Sequence, residues 1–115
     1  MKASLKSIHS PDADLLSYSP DDRSDFCIFV QVMVGCEGED GAESFNVTVC
    51  SPKWLVKNCT STMIGRGYLL MNEYNYQSLW GSISSYCDSC IADDWTGLAV
   101  KLSHLGKWEF EDYKR

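Results

Sequence analysis

The segment FCIFVQVMVG, at residues 26–35, constrains the fold more strongly than any other part of the chain. Its β-branched and aromatic residues predict a strand. One face of that strand consists of Phe26, Ile28, Val30, Val32 and Val34. The opposite face, with Cys27, Phe29 and Met33, is nearly as apolar. We therefore predict a strand that is central in its sheet and covered on both sides.

Three other segments predict the remaining strands. Residues 1–9 alternate in polarity and end at Ser10-Pro11, and residues 44–51 alternate with Phe45, Val47 and Val49 on one face. The Gly-containing segment CEGEDGAE predicts a turn, so residues 26–35 and 44–51 are expected to pair as an antiparallel hairpin. Residues 68–74 predict a fourth strand.

Helical signals dominate the second half of the chain. Ser51-Pro52 is typical of a helix start and predicts a short helix over residues 52–58. From Asn75 the period becomes helical, with one apolar stripe formed by Tyr76, Leu79, Trp80, Ile83, Tyr86, Cys87 and Cys90. Asp93 or Asp94 should cap a second amphipathic helix that Gly106 stops, and Trp95 on the apolar side of that helix is expected to be a core residue. The predicted fold class is α+β in one domain of residues 1–115: a mostly antiparallel sheet of about four strands, with two C-terminal amphipathic helices packed on it.

Charge and composition limit the partners. Sixteen Asp and Glu against ten Lys and Arg give a formal charge of −6, which repels nucleic acid and anionic lipid and favours a basic protein. The sequence lacks an apolar run of signal-peptide length and a run of eighteen apolar residues, so we expect a cytoplasmic protein that does not enter a membrane. The six cysteines are then expected to be free thiols. Four of them read as core residues: Cys27, Cys50, Cys87 and Cys90.

Residues for catalysis or metal binding are sparse. His9 and His104 are the two histidines, and the sequence contains no GxSxG, HExxH or phosphate-binding loop motif. The CxxC at Cys87 and Cys90 lacks the second pair that a zinc site needs, and it follows a helix rather than starting one. We expect no enzyme activity, cofactor or metal. A hydrolase that uses Asp or Glu side chains is the alternative, since such sites often leave no local signature.

The carboxylates lie in short runs between or beyond the patterned segments, next to several aromatic residues. Such runs are typical of a solvated surface as well as of a surface that meets a basic protein. The candidate partner-binding residues are Asp21, Asp22, Asp25, Glu37, Glu39, Asp40, Glu43, Trp108, Glu109 and Glu111. The aromatic residues adjoining acidic runs are Tyr18, Trp108, Phe110 and Tyr113. Which acidic loop forms the interface, and the oligomeric state, are left open by the sequence.

A set of segments in order carries a family resemblance. They are CSPKWL at 50–55, GRGYLL at 65–70, DDW at 93–95 and LSHLGKWEFEDY at 102–113. The chain resembles the immunity protein 8 family of bacterial polymorphic toxin systems. The resemblance implies a small cytoplasmic α+β protein that binds and neutralises the toxin encoded beside it, as in contact-dependent growth inhibition. The toxin would be a nuclease or another toxin acting in the cytoplasm. A regulatory or interaction protein without a toxin partner is the alternative.

Overall fold

The sheet is mixed and mostly antiparallel, as the computed structural model, which describes residues 1–111, shows. In chain order the elements are β1 (Ala3–His9), β2 (Cys27–Cys36), β3 (Glu43–Cys50), α1 (Pro52–Asn58), β4 (Tyr68–Leu70), α2 (Tyr76–Asp88), α3 (Trp95–Leu102) and β5 (Lys107–Trp108). The strand order is β1-β2-β3-β4, and β5 also pairs with β3. The α+β prediction is therefore confirmed. No helix within residues 1–111 is long and apolar enough to cross a membrane.

The hairpin of β2 and β3 confirms the predicted antiparallel pairing. Its register places Val32 opposite Phe45 and Val34 opposite Glu43. Because directly paired residues of neighbouring strands point to the same face, Glu43 extends the row of Phe45 and Val47 that faces the core. A carboxylate thus stands at the end of an otherwise apolar row.

The core lies between this face of the sheet and the two long helices. Each helix starts where the sequence predicts: the Asn75 side chain accepts a hydrogen bond from Ser78 N at 2.9 Å, and the Asp94 side chain accepts one from Gly97 N at 2.8 Å. These caps satisfy amide groups that the helix cannot pair itself. The buried helical residues are Leu79, Ile83, Cys87, Leu98, Ala99 and Leu102.

The second face of β2 departs from the prediction that both faces are covered. Cys27, Phe29, Gln31 and Met33 are only half-buried. The buried residues of α2 and α3 belong to the single core on the opposite face, and the short helix α1 has no buried residue. We predicted that both faces of β2 are covered because both are apolar. Helices α2 and α3 cover one of the two faces.

Two segments differ from their sequence-based predictions. The fourth strand stops at Leu70, because its chain leaves the sheet and buries Tyr74, whose hydroxyl donates to Leu15 O at 2.5 Å. Helix α3 ends at Leu102, so Gly106 does not stop it. A Cβ on Gly106 would lie 2.7 Å from Val47 Cγ2, so this glycine allows the chain to approach β3 closely. The approach makes room for β5, a strand that has no periodic signal in the sequence.

Candidate partner-binding surface

The ten predicted site residues fall into separate regions. Strand β2 has ten residues, so its two ends lie about 30 Å apart. The loop of residues 21–25 precedes one end of the strand, and the turn of residues 37–43 follows the other. We call these segments the acidic loop and the acidic turn. Segment 108–109 lies beside the acidic turn, because β5 pairs with the start of β3.

The acidic loop uses its charges within the protein. Asp22 Oδ2 lies 2.8 Å from Lys53 Nζ, and Asp25 Oδ2 lies 2.5 Å from Lys57 Nζ. The hydrogen bond from Lys53, followed by those from Ser24, holds the pKa of Asp22 well below its usual range. Both lysines belong to α1. These ion pairs tie the acidic loop to the helix, so two of its three carboxylates are matched internally.

The acidic turn is arranged differently. Glu37 forms an ion pair with Lys2 at 3.4 Å. Glu39, Asp40 and Glu43 form no ion pair with any of residues 1–111. Lys6 does reach this turn, but its Nζ donates to the main-chain oxygen of Glu39 at 2.6 Å and not to a carboxylate. The acidic turn therefore presents net negative charge.

Close backbone packing holds the acidic turn in place. A Cβ at Gly35 would overlap the main-chain oxygen of Gly41, so the end of β2 and the turn are in direct contact there. Gly38 has a φ of 84°, in the left-handed region that glycine adopts without strain. The turn joins two paired strands, which further restricts its position. Its carboxylates are thus presented from a defined scaffold.

The segment after Gly106 brings further predicted residues to this turn. Trp108 stacks on Phe45 with ring centroids 6.5 Å apart and an interplanar angle of 16°. Glu109 Oε1 accepts a hydrogen bond from Ser44 N at 2.7 Å. Glu111 instead forms an ion pair with Arg66, whose hydrogen bonds lower the pKa of Glu111. Trp108 and Glu109 therefore adjoin the acidic turn, whereas the charge of Glu111 is matched.

Of the remaining predicted aromatic anchors, the two that the structure describes, Tyr18 and Phe110, lie in different parts of the protein. Tyr18 packs edge-on against Tyr74 and Phe26, with ring centroids 4.7 and 6.4 Å away, so its role is structural. Phe110 packs edge-on against Trp108 at 5.6 Å. Tyr113 lies outside the described residues. Among the aromatic residues of this set that the structure describes, Trp108 and Phe110 lie near the acidic turn and Tyr18 does not.

A cleft of about 390 Å³ opens beside the acidic turn. Its lining includes Val34, Cys36, Glu39, Ala42, Glu43 and Trp95. Trp95 packs edge-on against Phe45 at 6.4 Å between ring centroids and is half-buried. The sequence predicted Trp95 to be a core residue. Because Trp95 directly follows the Asp94 cap, it lies in the first turn of α3 and therefore at the end of the core rather than within it.

Four polar side-chain atoms are buried and have no hydrogen bond within the part of the chain that the structure describes: Glu43 Oε2, Asn46 Oδ1, Trp95 Nε1 and Trp108 Nε1. Two of their residues, Glu43 and Trp95, line the cleft. Burying such an atom without a partner costs on the order of 1 to 3 kcal/mol. Unpaired buried atoms in native proteins are uncommon and often mark a functional site. The cleft, which is lined by Glu43 and Trp95, is therefore a candidate binding site.

The described residues offer little for catalysis. Within residues 1–111, no group of three or more His, Cys, Asp and Glu side chains is placed to hold a metal ion. All six cysteines are free thiols. Burial raises the pKa of Cys87 to about 12 and that of Cys50 to about 11, so both thiols stay protonated and unreactive near neutral pH.

Comparison with known proteins places the chain in a family. No curated protein and no solved structure matches it. The family model of immunity protein 8 matches residues 3–113, which include the strands and helices described above, the acidic turn and, apart from Met1, the residues that line the cleft. The chain belongs to the immunity protein 8 family.

Proposed function

We propose that this protein neutralises a cognate bacterial toxin by binding the toxin through the acidic turn and the adjoining cleft. Membership of the immunity protein 8 family implies an immunity protein whose partner is the toxin of a polymorphic toxin system. The proposal adds the surface, a basic toxin domain and an encounter in the cytoplasm. It makes the protein a stoichiometric inhibitor rather than an enzyme.

The observation that carries the proposal is the contrast in charge pairing. Glu39, Asp40 and Glu43 lack cationic partners within residues 1–111, while Asp22, Asp25 and Glu111 have them. A toxin that supplies Lys or Arg to the unpaired group gains electrostatic complementarity. The toxin can bind these three carboxylates without breaking an ion pair within residues 1–111, whereas binding to Asp22, Asp25 or Glu111 would require it.

The chemistry of such an interface follows from the residues at hand. Unpaired carboxylates on the rim accelerate encounter with a basic protein, to ~10⁸ M⁻¹s⁻¹ or more at low salt against ~10⁵ to 10⁶ without steering. Aromatic residues in desolvated positions usually provide most of the affinity. Trp95 and Trp108, both half-buried beside the acidic turn, are the anchors we assign. If the toxin is a nuclease, the carboxylates would lie where substrate phosphates bind.

A titration with the purified toxin domain encoded beside this gene tests the proposal. We expect toxin activity to fall linearly with added protein and to vanish at one molar equivalent, with a complex seen by gel filtration. We also expect co-expression to protect growth. Inactivation by a small fraction of an equivalent would show an enzyme that modifies the toxin. Absence of both a complex and protection would refute the immunity role. That result is the one expected of a regulatory protein without a toxin partner.

A further inference from the structure

We propose that the cleft beside the acidic turn receives one Lys or Arg side chain of the toxin, with its cationic group hydrogen-bonded to Glu43. The inference rests on the proposed function, because it identifies what the partner contributes to that surface. The inference concerns a contact inside the cleft, whereas the electrostatic acceleration of encounter depends on the exposed carboxylates around it. The two parts of the surface therefore have separate tests.

The position of Glu43 is the first argument. Its pairing with Val34 directs it to the core-facing side of the sheet, at the end of the row that continues with Phe45. There its Oε2 atom is buried and unpartnered within the described residues. Glu43 itself is half-buried, and a carboxylate oxygen in such a position is stabilised by a charged hydrogen-bond donor more than by a neutral one. A cation entering the cleft is therefore the ligand that this carboxylate favours.

The second argument comes from Trp95, which lines the same cleft. The face of an indole ring attracts a Lys or Arg cation positioned within ~6 Å of its centre. The unpartnered Trp95 Nε1 is a donor and needs an acceptor. A Lys or Arg residue of a polypeptide supplies the cation through its side chain. Its main-chain carbonyl oxygen supplies the acceptor for Trp95 Nε1.

The size and the remaining lining agree with this ligand. Val34, Ala42 and Cys36 provide an apolar wall for the methylene groups of a long basic side chain. The volume of about 390 Å³ accommodates one such side chain with part of its backbone. Glu39, an exposed residue of the lining, adds negative charge that disfavours an anionic group. A cation with an apolar stem matches each of these surfaces.

A small probe tests the cleft without the toxin. Nα-acetyl-arginine amide and Nα-acetyl-lysine amide would be titrated into ¹⁵N-labelled protein, with Nα-acetyl-citrulline amide as the neutral control of the same shape as the arginine probe. We expect the Trp95 indole N–H resonance, assigned by its loss in Trp95→Phe, to shift with a basic probe and not with citrulline. Glu43→Gln should weaken that shift at least fivefold. An equal response to citrulline, or an unchanged response in Glu43→Gln, would overturn the inference.

The toxin complex provides the second measurement. Glu43→Gln should bind the toxin domain at least about thirtyfold more weakly, through faster dissociation, because a desolvated charge partner is lost. Glu39→Gln, at the rim of the same cleft, should mainly slow association. Thermal unfolding of both variants checks that they fold. Affinity within threefold of wild type for a folded Glu43→Gln would make Glu43 a structural residue. Failure of wild type to bind the toxin would refute the immunity role instead and leave the probe result standing.

Discussion

The acidic loop and the acidic turn are both rich in Asp and Glu but have different electrostatic roles. The loop holds Asp21, Asp22 and Asp25 at one end of β2, and the turn holds Glu39, Asp40 and Glu43 at the other. Two of the three loop carboxylates form ion pairs with lysines of α1, whereas none of these three turn carboxylates has an ion pair within residues 1–111. Local density of Asp and Glu therefore does not identify a binding surface. The fold decides which charges are available to a partner.

The largest effect is expected from removing the charges of the acidic turn. The triple variant Glu39→Gln, Asp40→Asn, Glu43→Gln should reduce toxin affinity at least about 100-fold, since it loses both steering charges and a buried partner. Its fold should persist because the turn lies outside the main apolar core. Stopped-flow association rates at several salt concentrations, combined with dissociation rates, measure the effect.

The acidic loop provides the matched control for that variant. Asp21→Asn, Asp22→Asn, Asp25→Asn removes the same number of charges about 30 Å away, beyond the Debye length of about 8 Å at physiological salt. Its toxin affinity should stay within about threefold of wild type, while its stability decreases. If the two triple variants lose affinity equally, net charge and not location governs binding, and the comparison fails.

A smaller effect is expected from moving the acidic turn without changing its charge. Gly35→Ala forces the Gly41 main chain away from β2, and overpacking of this kind costs on the order of 1 to 3 kcal/mol of stability. The displaced carboxylates should then bind the toxin more weakly. Gly41→Ala, whose added methyl group meets no atom within 4 Å, is the control. Chemical denaturation and toxin affinity should both separate the two variants; identical behaviour would show that the turn needs no fixed position.

The smallest effect is a pH dependence that belongs to the acidic loop alone. The ion pair with Lys53 depresses the pKa of Asp22 in the folded protein, so the associated stability is present above the unfolded-state value of about 4 and is lost as pH falls below it. Urea midpoints between pH 5 and 2.5 should decline less steeply in Asp22→Asn than in wild type. Asp21→Asn, which removes a carboxylate with no ion pair within residues 1–111, should retain the wild-type slope. If the urea midpoint of Asp22→Asn declined as steeply with falling pH as that of wild type, the ion pair of the acidic loop would not contribute to stability.

Local signals in the sequence predicted most of the fold. Ser51 caps a helix as predicted, and Asp94 is the cap among the two predicted candidates, because a cap contacts an amide only three residues away. Helix α2 begins where the helical period begins, and its cap is Asn75. The pairing of β5 with β3 and the parallel pairing of β4 were not predicted. These pairings join distant segments, and a strand of two or three residues is too short to show a period.

The candidate site was predicted in part for the same physical reason. The acidic turn and Trp108 were identified as candidates from their composition. The neutralisation of Asp22 and Asp25 depends on Lys53 and Lys57, which lie 31 and 32 residues further along the chain and meet them only in the folded protein. Trp95 was assigned to the core because a tryptophan in an amphipathic helix usually packs there. Only the three-dimensional arrangement reveals its unpartnered indole nitrogen.

The contact between Glu109 and Ser44 spans 65 residues, and this separation determines when the surface can form. The hairpin of β2 and β3 closes a short segment, whereas the pairing of β5 with β3 closes a much longer one at a greater cost in chain entropy. We therefore expect the acidic turn to form before Trp108 and Glu109 reach it. A substitution that slows the docking of β5 would delay the onset of protection in newly made protein without lowering the final affinity. Speed of maturation is thus a property of this surface that is separate from its strength.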